Sequence, residues 1–372
     1  MAIRLLIVDD SALMRRHLLQ IFTQDKGFEV RIARDGQQAI DENLAWQPDV
    51  MTLDINMPVM DGITALAHIM ASRPLPVVMV SSLTERGALA TFEALALGAV
   101  DFVTKPDGTI SLSIERIRHE LIEKVTVASG VALKRHNAQR LTHQLRQERI
   151  QRLSKPLIVR RSSVNREIFG VVLIGVSTGG PSTLEDILPK LDADFPLPVI
   201  VAQHMPASFT APFAARMNAQ CALNVVEVNK PMVLAAGQIY IGKGGADTVI
   251  ANRVGKLMVL PKPPARELLY HPSVEMLGRS VLEHCNAEHV IAVMLTGMGG
   301  DGAEAFSELK RQGAYTIAES EDSAVVFGMP KELIERGGAK IVLPADKIAA
   351  QMIRWAHDLE ERSLGYNKGQ EN

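Results

Sequence analysis

The 372-residue sequence predicts an α/β chain built from two parallel sheets, each covered by helices and separated by a basic stretch. Three observations predict it. Short β-prone apolar runs alternate with helical patterns in both halves, at the spacing of βα units. Polar residues capable of chemistry follow those runs, at the C-terminal strand ends where doubly wound sheets place their sites. Between them, from 129 to 167, ten Lys and Arg face only Glu148 and Glu167, with few apolar residues. Such a stretch cannot bury enough surface to offset chain entropy and reads as an interdomain linker.

Bulk properties narrow the class. Hydrophobic content of 47% with 22% charged residues is ordinary for a soluble globular protein, and the length suits two or three domains. A net charge of -2 gives no general attraction to nucleic acid or anionic membrane. The linker alone is basic, but no aromatic residues interleave there for base stacking, so no nucleic-acid partner is expected. Cys221 and Cys285 are too few for a disulfide scaffold and suit a reducing compartment. The first apolar run ends at Asp9-Asp10, too short for a signal peptide, and no apolar segment is long enough to span a bilayer. A cytoplasmic protein without direct membrane insertion is expected.

In the first 128 residues, strands are expected at Ile3–Val8, Phe28–Ala33, Asp49–Asp54, Pro76–Val80 and Asp101–Thr104. Helices between them include one carrying Leu13, Leu18, Leu19 and Phe22 on a single face. Asp9, Asp10, Asp54, Ser81 and Lys105 then converge on one sheet edge. Three carboxylates together repel unless compensated, and a hard divalent cation such as Mg²⁺ does this where phosphoryl groups are handled. Lys105 adds a point charge and Ser81 a hydroxyl donor.

Val8-Asp9-Asp10-Ser11, Leu53-Asp54-Ile55-Asn56-Met57-Pro58 with Asp61-Gly62, Val80-Ser81-Ser82 and Lys105-Pro106 resemble a two-component receiver domain, a flavodoxin-like (βα)5 fold. The resemblance implies that Asp54 accepts phosphate from a histidine kinase. It implies Mg²⁺ held by Asp9, Asp10, Asp54 and the Asn56 carbonyl, with Lys105 and Ser81 contacting the phosphoryl group. It also implies that Phe102 takes the aromatic switch position.

After the linker, in which 137–153 could form a polar helix, a second α/β domain is expected over 168–364, with a polar tail at 365–372. Val171–Ile174 runs into Gly175-Val176-Ser177-Thr178-Gly179, a strand-to-helix turn of the Gly-x-Ser-x-Gly type. Such a turn can expose a nucleophilic serine or cradle an anion with backbone N–H groups. Two further segments bear on the choice. His204 follows the apolar run Pro198–Ala202, and Asp301 lies in the glycine-rich loop after Val290–Leu295. A serine needs a base and the base an orienting carboxylate, so three such groups at three strand ends favour acyl transfer over a nucleotide- or phosphate-binding output module. No helix-turn-helix pattern follows the linker, which disfavours a transcriptional output. The remaining elements expected are helices at Thr183–Leu191, Phe209–Gln220, Ser273–Asn286, Ala303–Gln312 and Ile348–Arg362. Val225–Asn229 begins a more β-like part, Ala314–Ala318 is a strand, and Gly237–Gly242 with Lys256–Leu260 read as a hairpin or edge region.

This half resembles the catalytic domain of the chemotaxis protein-glutamate methylesterases, the CheB family. Gly175–Pro181, Gln203-His204-Met205-Pro206, Leu295–Gly299 with Asp301-Gly302, and Val325–Pro330 carry the resemblance. It implies hydrolysis of γ-glutamyl methyl esters, and deamidation of glutamines, on methyl-accepting chemoreceptors. Ser177, His204 and Asp301 are the implied triad, with the Met298 N–H in the oxyanion hole and no cofactor in the esterase site. It also implies autoinhibition by receiver docking, relieved by phosphate. Two segments depart from the family pattern, Tyr270-His271-Pro272-Ser273-Val274-Glu275 and Ile241-Gly242-Lys243-Gly244. Neither is expected to touch the three catalytic groups; both are expected to bear on substrate choice, with Tyr270 and His271 equally readable as packing residues.

Overall fold

A computed structural model describes residues 2–105, 110–131 and 168–368. Most of the basic segment, its expected helix at 137–153 and the last four residues of the tail lie outside these. The chain divides into two compact units, Met1–Pro156 and Leu157–Asn372.

In the first unit, β1 (Ile3–Val8), β2 (Phe28–Ala33), β3 (Val50–Asp54), β4 (Val77–Ser81) and β5 (Asp101–Thr104) form a parallel sheet in the order β2-β1-β3-β4-β5. Every residue of β3 and β4 is buried, as expected for central strands covered on both faces. Four helices begin on side-chain caps. Ser11, Asp35, Asp61 and Thr84 accept from the amides of Met14, Gln38, Thr64 and Gly87, satisfying N–H groups that have no partner inside the helix. From β1 the chain pairs outward to β2 on one side, and β3 lies on the other. The cleft opened by that reversal holds the ends of β1 and β3, where Asp9 and Asp54 stand.

The second unit has a seven-stranded parallel sheet in the order β15-β14-β13-β6-β7-β10-β8. Its strands are β6 (Val171–Val176), β7 (Val199–Gln203), β8 (Asn224–Val228), β10 (Gln238–Gly242), β13 (Val290–Met294), β14 (Tyr315–Glu319) and β15 (Ile341–Leu343). The expected hairpin between Gly237–Gly242 and Lys256–Leu260 is not formed. β10 is buried along four of its five residues and lies inside the parallel sheet between β7 and β8. The hairpin instead joins β11 (Asp247–Arg253) to β12 (Lys256–Lys262). Its two-residue turn, Val254-Gly255, has positive φ at both positions, the backbone that matches strand twist. With β9 (Met232–Val233) these two make a small antiparallel sheet. The closing helix runs Ala345–Lys368, beyond the expected domain limit at 364.

The helix Val274–His284 is seated on this sheet by a close packing contact. It lies on β6 where Gly175 leaves room, since a Cβ at 175 would fall 2.4 Å from Val274 Cγ1. Val274, fully buried, also fills the space beside Gly302, so a single side chain seats the helix against both β6 and the Asp301 loop.

Candidate active site and acidic cluster

The parallel register brings the predicted residues of the second unit to one sheet edge. Pairing of β6 with β7 ends at Val176 and Gln203, so Ser177 and His204 are the next residues on neighbouring strands. On the other side of β6, Gly175 pairs with Met294, which delivers the 295–302 loop to the same place. The turn backbone is held from both flanks. Ser177 N–H donates to the Thr296 carbonyl at 2.9 Å, while Gly180 N–H and Gln203 Nε2 donate to the Ser177 carbonyl at 2.8 and 2.9 Å.

His204 Nε2 lies 2.8 Å from Asp301 Oδ2. That bond leaves Nδ1 as the acceptor nitrogen, and Nδ1 is buried without a hydrogen-bond partner among the described residues. No hydrogen bond joins the Ser177 hydroxyl to His204 among the described residues; such bonds often tighten only with substrate in place. Asp301 is held more firmly than its sequence context suggests. Its carboxylate accepts from Ser273 Oγ at 2.9 Å and from the amides of Val274 and Glu275 at 2.7 and 3.0 Å. It therefore sits on the N-terminus of the helix Val274–His284, where unpaired amides and the helix dipole favour an anion. Burial alone would raise the Asp301 carboxyl, but the bond and charge of His204 with those amides outweigh it and hold the carboxyl below its ordinary value.

The 270–275 segment thus touches two of the three predicted catalytic groups, contrary to expectation. Ser273, Val274 and Glu275 bind Asp301, and the Tyr270 ring stacks on His204 with centroids 4.7 Å apart and planes 12° from parallel. His271 turns away to a buried carboxylate, with Nδ1 2.8 Å from Asp247 Oδ1. Nothing in the local sequence marks these contacts, because 26 to 97 residues separate the partners of Asp301. Met298 is buried, in a loop whose Gly297 packs against Ser177 and whose Gly297 carbonyl accepts from the amides of Gly328 and Met329. Among the described residues the Met298 N–H has no acceptor.

In the first unit, carboxylate oxygens of Asp9, Asp10 and Asp54 lie within 4.8 Å of one another. Lys105 Nζ stands 2.9 Å from Asp9 Oδ2 and 2.8 Å from Asp54 Oδ2, linking the two buried carboxylates. Burial, with the Asp9 charge, raises the Asp54 carboxyl despite Lys105. Burial opposes the charge on Lys105, but Asp54 and Asp9 more than compensate and raise its ammonium. The Ser81 hydroxyl donates to the Gly87 carbonyl at 3.2 Å and is not bonded to Asp54. Phe102 is buried, and Lys124 donates to its carbonyl at 2.7 Å.

An acidic edge closed by a lysine, in a chain whose second sheet carries Ser, His and Asp at its strand ends, is the arrangement expected of a response regulator with an enzymatic output. Comparison with known proteins agrees. Residues 5–115 match the response regulator receiver domain and 172–352 the CheB methylesterase model. A protein-glutamate methylesterase/protein-glutamine glutaminase of Rhodospirillum rubrum is 53% identical over 97% of this chain and 98% of its own length. One of Vibrio cholerae is 44% identical over 90% and 91%. The catalytic domain of the Thermotoga maritima CheB methylesterase is 37% identical and covers 50% of this chain and 98% of its own, with a TM-score of 0.48. The chain belongs to the CheB family of protein-glutamate methylesterases/protein-glutamine glutaminases. No helix among the described residues is long and apolar enough to cross a membrane.

Proposed function

We propose that this chain demethylates γ-glutamyl methyl esters, and deamidates glutamines, on methyl-accepting chemoreceptors, through Ser177, His204 and Asp301. The observation that carries the reading is the 2.8 Å His204–Asp301 contact, on a carboxylate seated at a helix N-terminus, one strand from Ser177. Ser177 Oγ attacks the side-chain carbonyl as His204 Nδ1 takes its proton. Asp301 keeps the other ring proton on Nε2 and stabilises the imidazolium. The oxyanion forms against the Met298 N–H, and His204 protonates the departing methanol or ammonia. Water, activated by the same imidazole, then releases the glutamate.

Control by phosphate belongs to the same reading, with Asp54 the acceptor and a histidine kinase the donor. Asp9, Asp10 and Asp54, with the Asn56 carbonyl, would hold Mg²⁺, and this all-oxygen, three-carboxylate donor set suits a hard cation. When bound, the ion supplies positive charge to phosphoryl oxygens. Lys105, already between Asp9 and Asp54, is placed to follow the new charge; Ser81 must leave the Gly87 carbonyl to contribute.

Methanol release from methylated receptor membranes tests the assignment. Ser177→Ala is expected to lower the rate by a factor on the order of 10³ or more. A rate within a few-fold of the unsubstituted protein would sink it.

A further inference from the structure

We propose that Tyr270 is a positioning residue for the His204 imidazole, a role that rests on the triad reading. A single hydrogen bond holds a ring incompletely. The contact of Nε2 with Asp301 fixes one corner of the imidazole, but one hydrogen bond sets a distance and not the tilt of the ring plane about the Cβ–Cγ bond. Nδ1, the atom that must meet the Ser177 proton, has no hydrogen-bond partner among the described residues to hold that tilt. A flat surface against the ring face does hold it. Tyr270 supplies one, 4.7 Å away and 12° from parallel. Offset-stacked rings at this separation attract one another beyond simple burial, and an aromatic face is the side that favours a cation. The stack therefore suits the moment at which His204 carries the extra proton.

The loop bearing Tyr270 is pinned at both ends by one residue. Asp247, fully buried, accepts from the Ala265 amide at 2.8 Å where the loop begins. It also accepts from His271 Nδ1 at 2.8 Å and the Ser273 amide at 3.0 Å where the loop ends. Ser273 Oγ then reaches Asp301. One buried carboxylate thus closes the 265–273 loop and ties it to the residue that holds the other side of His204. Tyr270 is clamped over the imidazole.

The test uses the full chain with Tyr270→Leu, Tyr270→Phe and Ser177→Ala. Two rates are read: methanol release from methylated receptor membranes, and labelling of Ser177 by a fluorophosphonate ester. In the labelling, the Oγ–P bond forms, the P–F bond breaks, fluoride leaves and His204 takes the hydroxyl proton, with no receptor involved. Tyr270→Leu is expected to lower kcat about tenfold, leave KM within about twofold, and slow labelling to the same extent, as misaligned reacting groups do. Tyr270→Phe, which keeps the ring, is expected to restore both. Unchanged kcat and labelling in Tyr270→Leu would overturn the proposal. So would a rise in KM alone, which would make Tyr270 a wall for substrate, or a Phe variant as slow as Leu. Ser177→Ala is the separate control: if it still releases methanol, the triad reading fails whatever Tyr270 does.

Discussion

At the scale of single residues, the surroundings of Asp301 bear most directly on the proposed chemistry. A carboxylate that only oriented His204 would need one acceptor oxygen. Here both oxygens are used, and two of the four donors are amides of one helix end. An amide in its place has a single acceptor oxygen and turns its NH2 toward donors. Asp301→Asn is therefore expected to lower kcat by a factor on the order of 10³ to 10⁴ and to cost stability of about 1–3 kcal/mol at neutral pH. The stability loss has a pH signature with a definite sign. The folded-state value of Asp301 is depressed, so its contribution is complete above the ordinary carboxyl value and disappears as pH falls through the folded value. Urea unfolding of both proteins should show the difference constant near neutrality and shrinking below about pH 4. A difference that grew on acidification would mean the carboxyl is not stabilised as an anion.

Between elements, two helices share their N-termini. Asp301, two residues before the helix Ala303–Arg311, accepts from Val274 and Glu275 of the other helix, and Glu275 Oε2 returns the contact by accepting from the Ala305 amide at 3.0 Å. Each helix thus satisfies amides of the other, and Val274 fills the space between them. Gly302 is what permits this. It has φ +84°, and a Cβ there would sit 2.2 Å from Val274 Cγ1. Gly302→Ala is expected to destabilise the protein by more than about 1 kcal/mol and to lower methanol release as Asp301 shifts. Wild-type thermal unfolding and turnover in that variant would show that the helix junction tolerates displacement. The strands and their polar ends were readable in the sequence because each is local: an apolar run announces a buried strand, and the residue after it falls on the sheet edge. The placement of Ser177, His204 and Asp301 at one sheet edge was read that way, as was that of Asp9, Asp54 and Lys105 at the edge of the first sheet. The helix junction and the Tyr270 stack were not, since they join residues far apart in sequence whose types are common in loops. The antiparallel pair β11–β12 escaped for another reason. Gln238–Gly242 reads as apolar and β-prone whether it pairs with the next strand or enters a parallel sheet, and only the burial of both its faces decides.

For the whole molecule, the proposed control by phosphate requires that charge at one sheet edge alter turnover in a second unit. A phosphoryl group on Asp54 shifts an equilibrium only by the difference in its contacts between two states. The first unit has a charge arrangement poised for such a difference. Asp9 and Asp54 are buried, Lys105 is held by both, and a phosphoryl group brings more charge and more acceptor oxygens to compete for that one lysine. If the unphosphorylated first unit restrains the second, removing it and phosphorylating it should act in the same direction. Residues 168–372 alone are then expected to release methanol faster than the intact chain without a phosphodonor, and acetyl phosphate should move the intact chain toward the fragment. A tenfold gap would correspond to about 1.4 kcal/mol of restraint. Asp54→Asn should keep the basal rate and lose the stimulation, because the carboxylate proposed to accept phosphate is gone while the second sheet is untouched. A fragment slower than the intact chain would reverse the sign of the coupling, making the first unit an activator whose contacts the esterase needs.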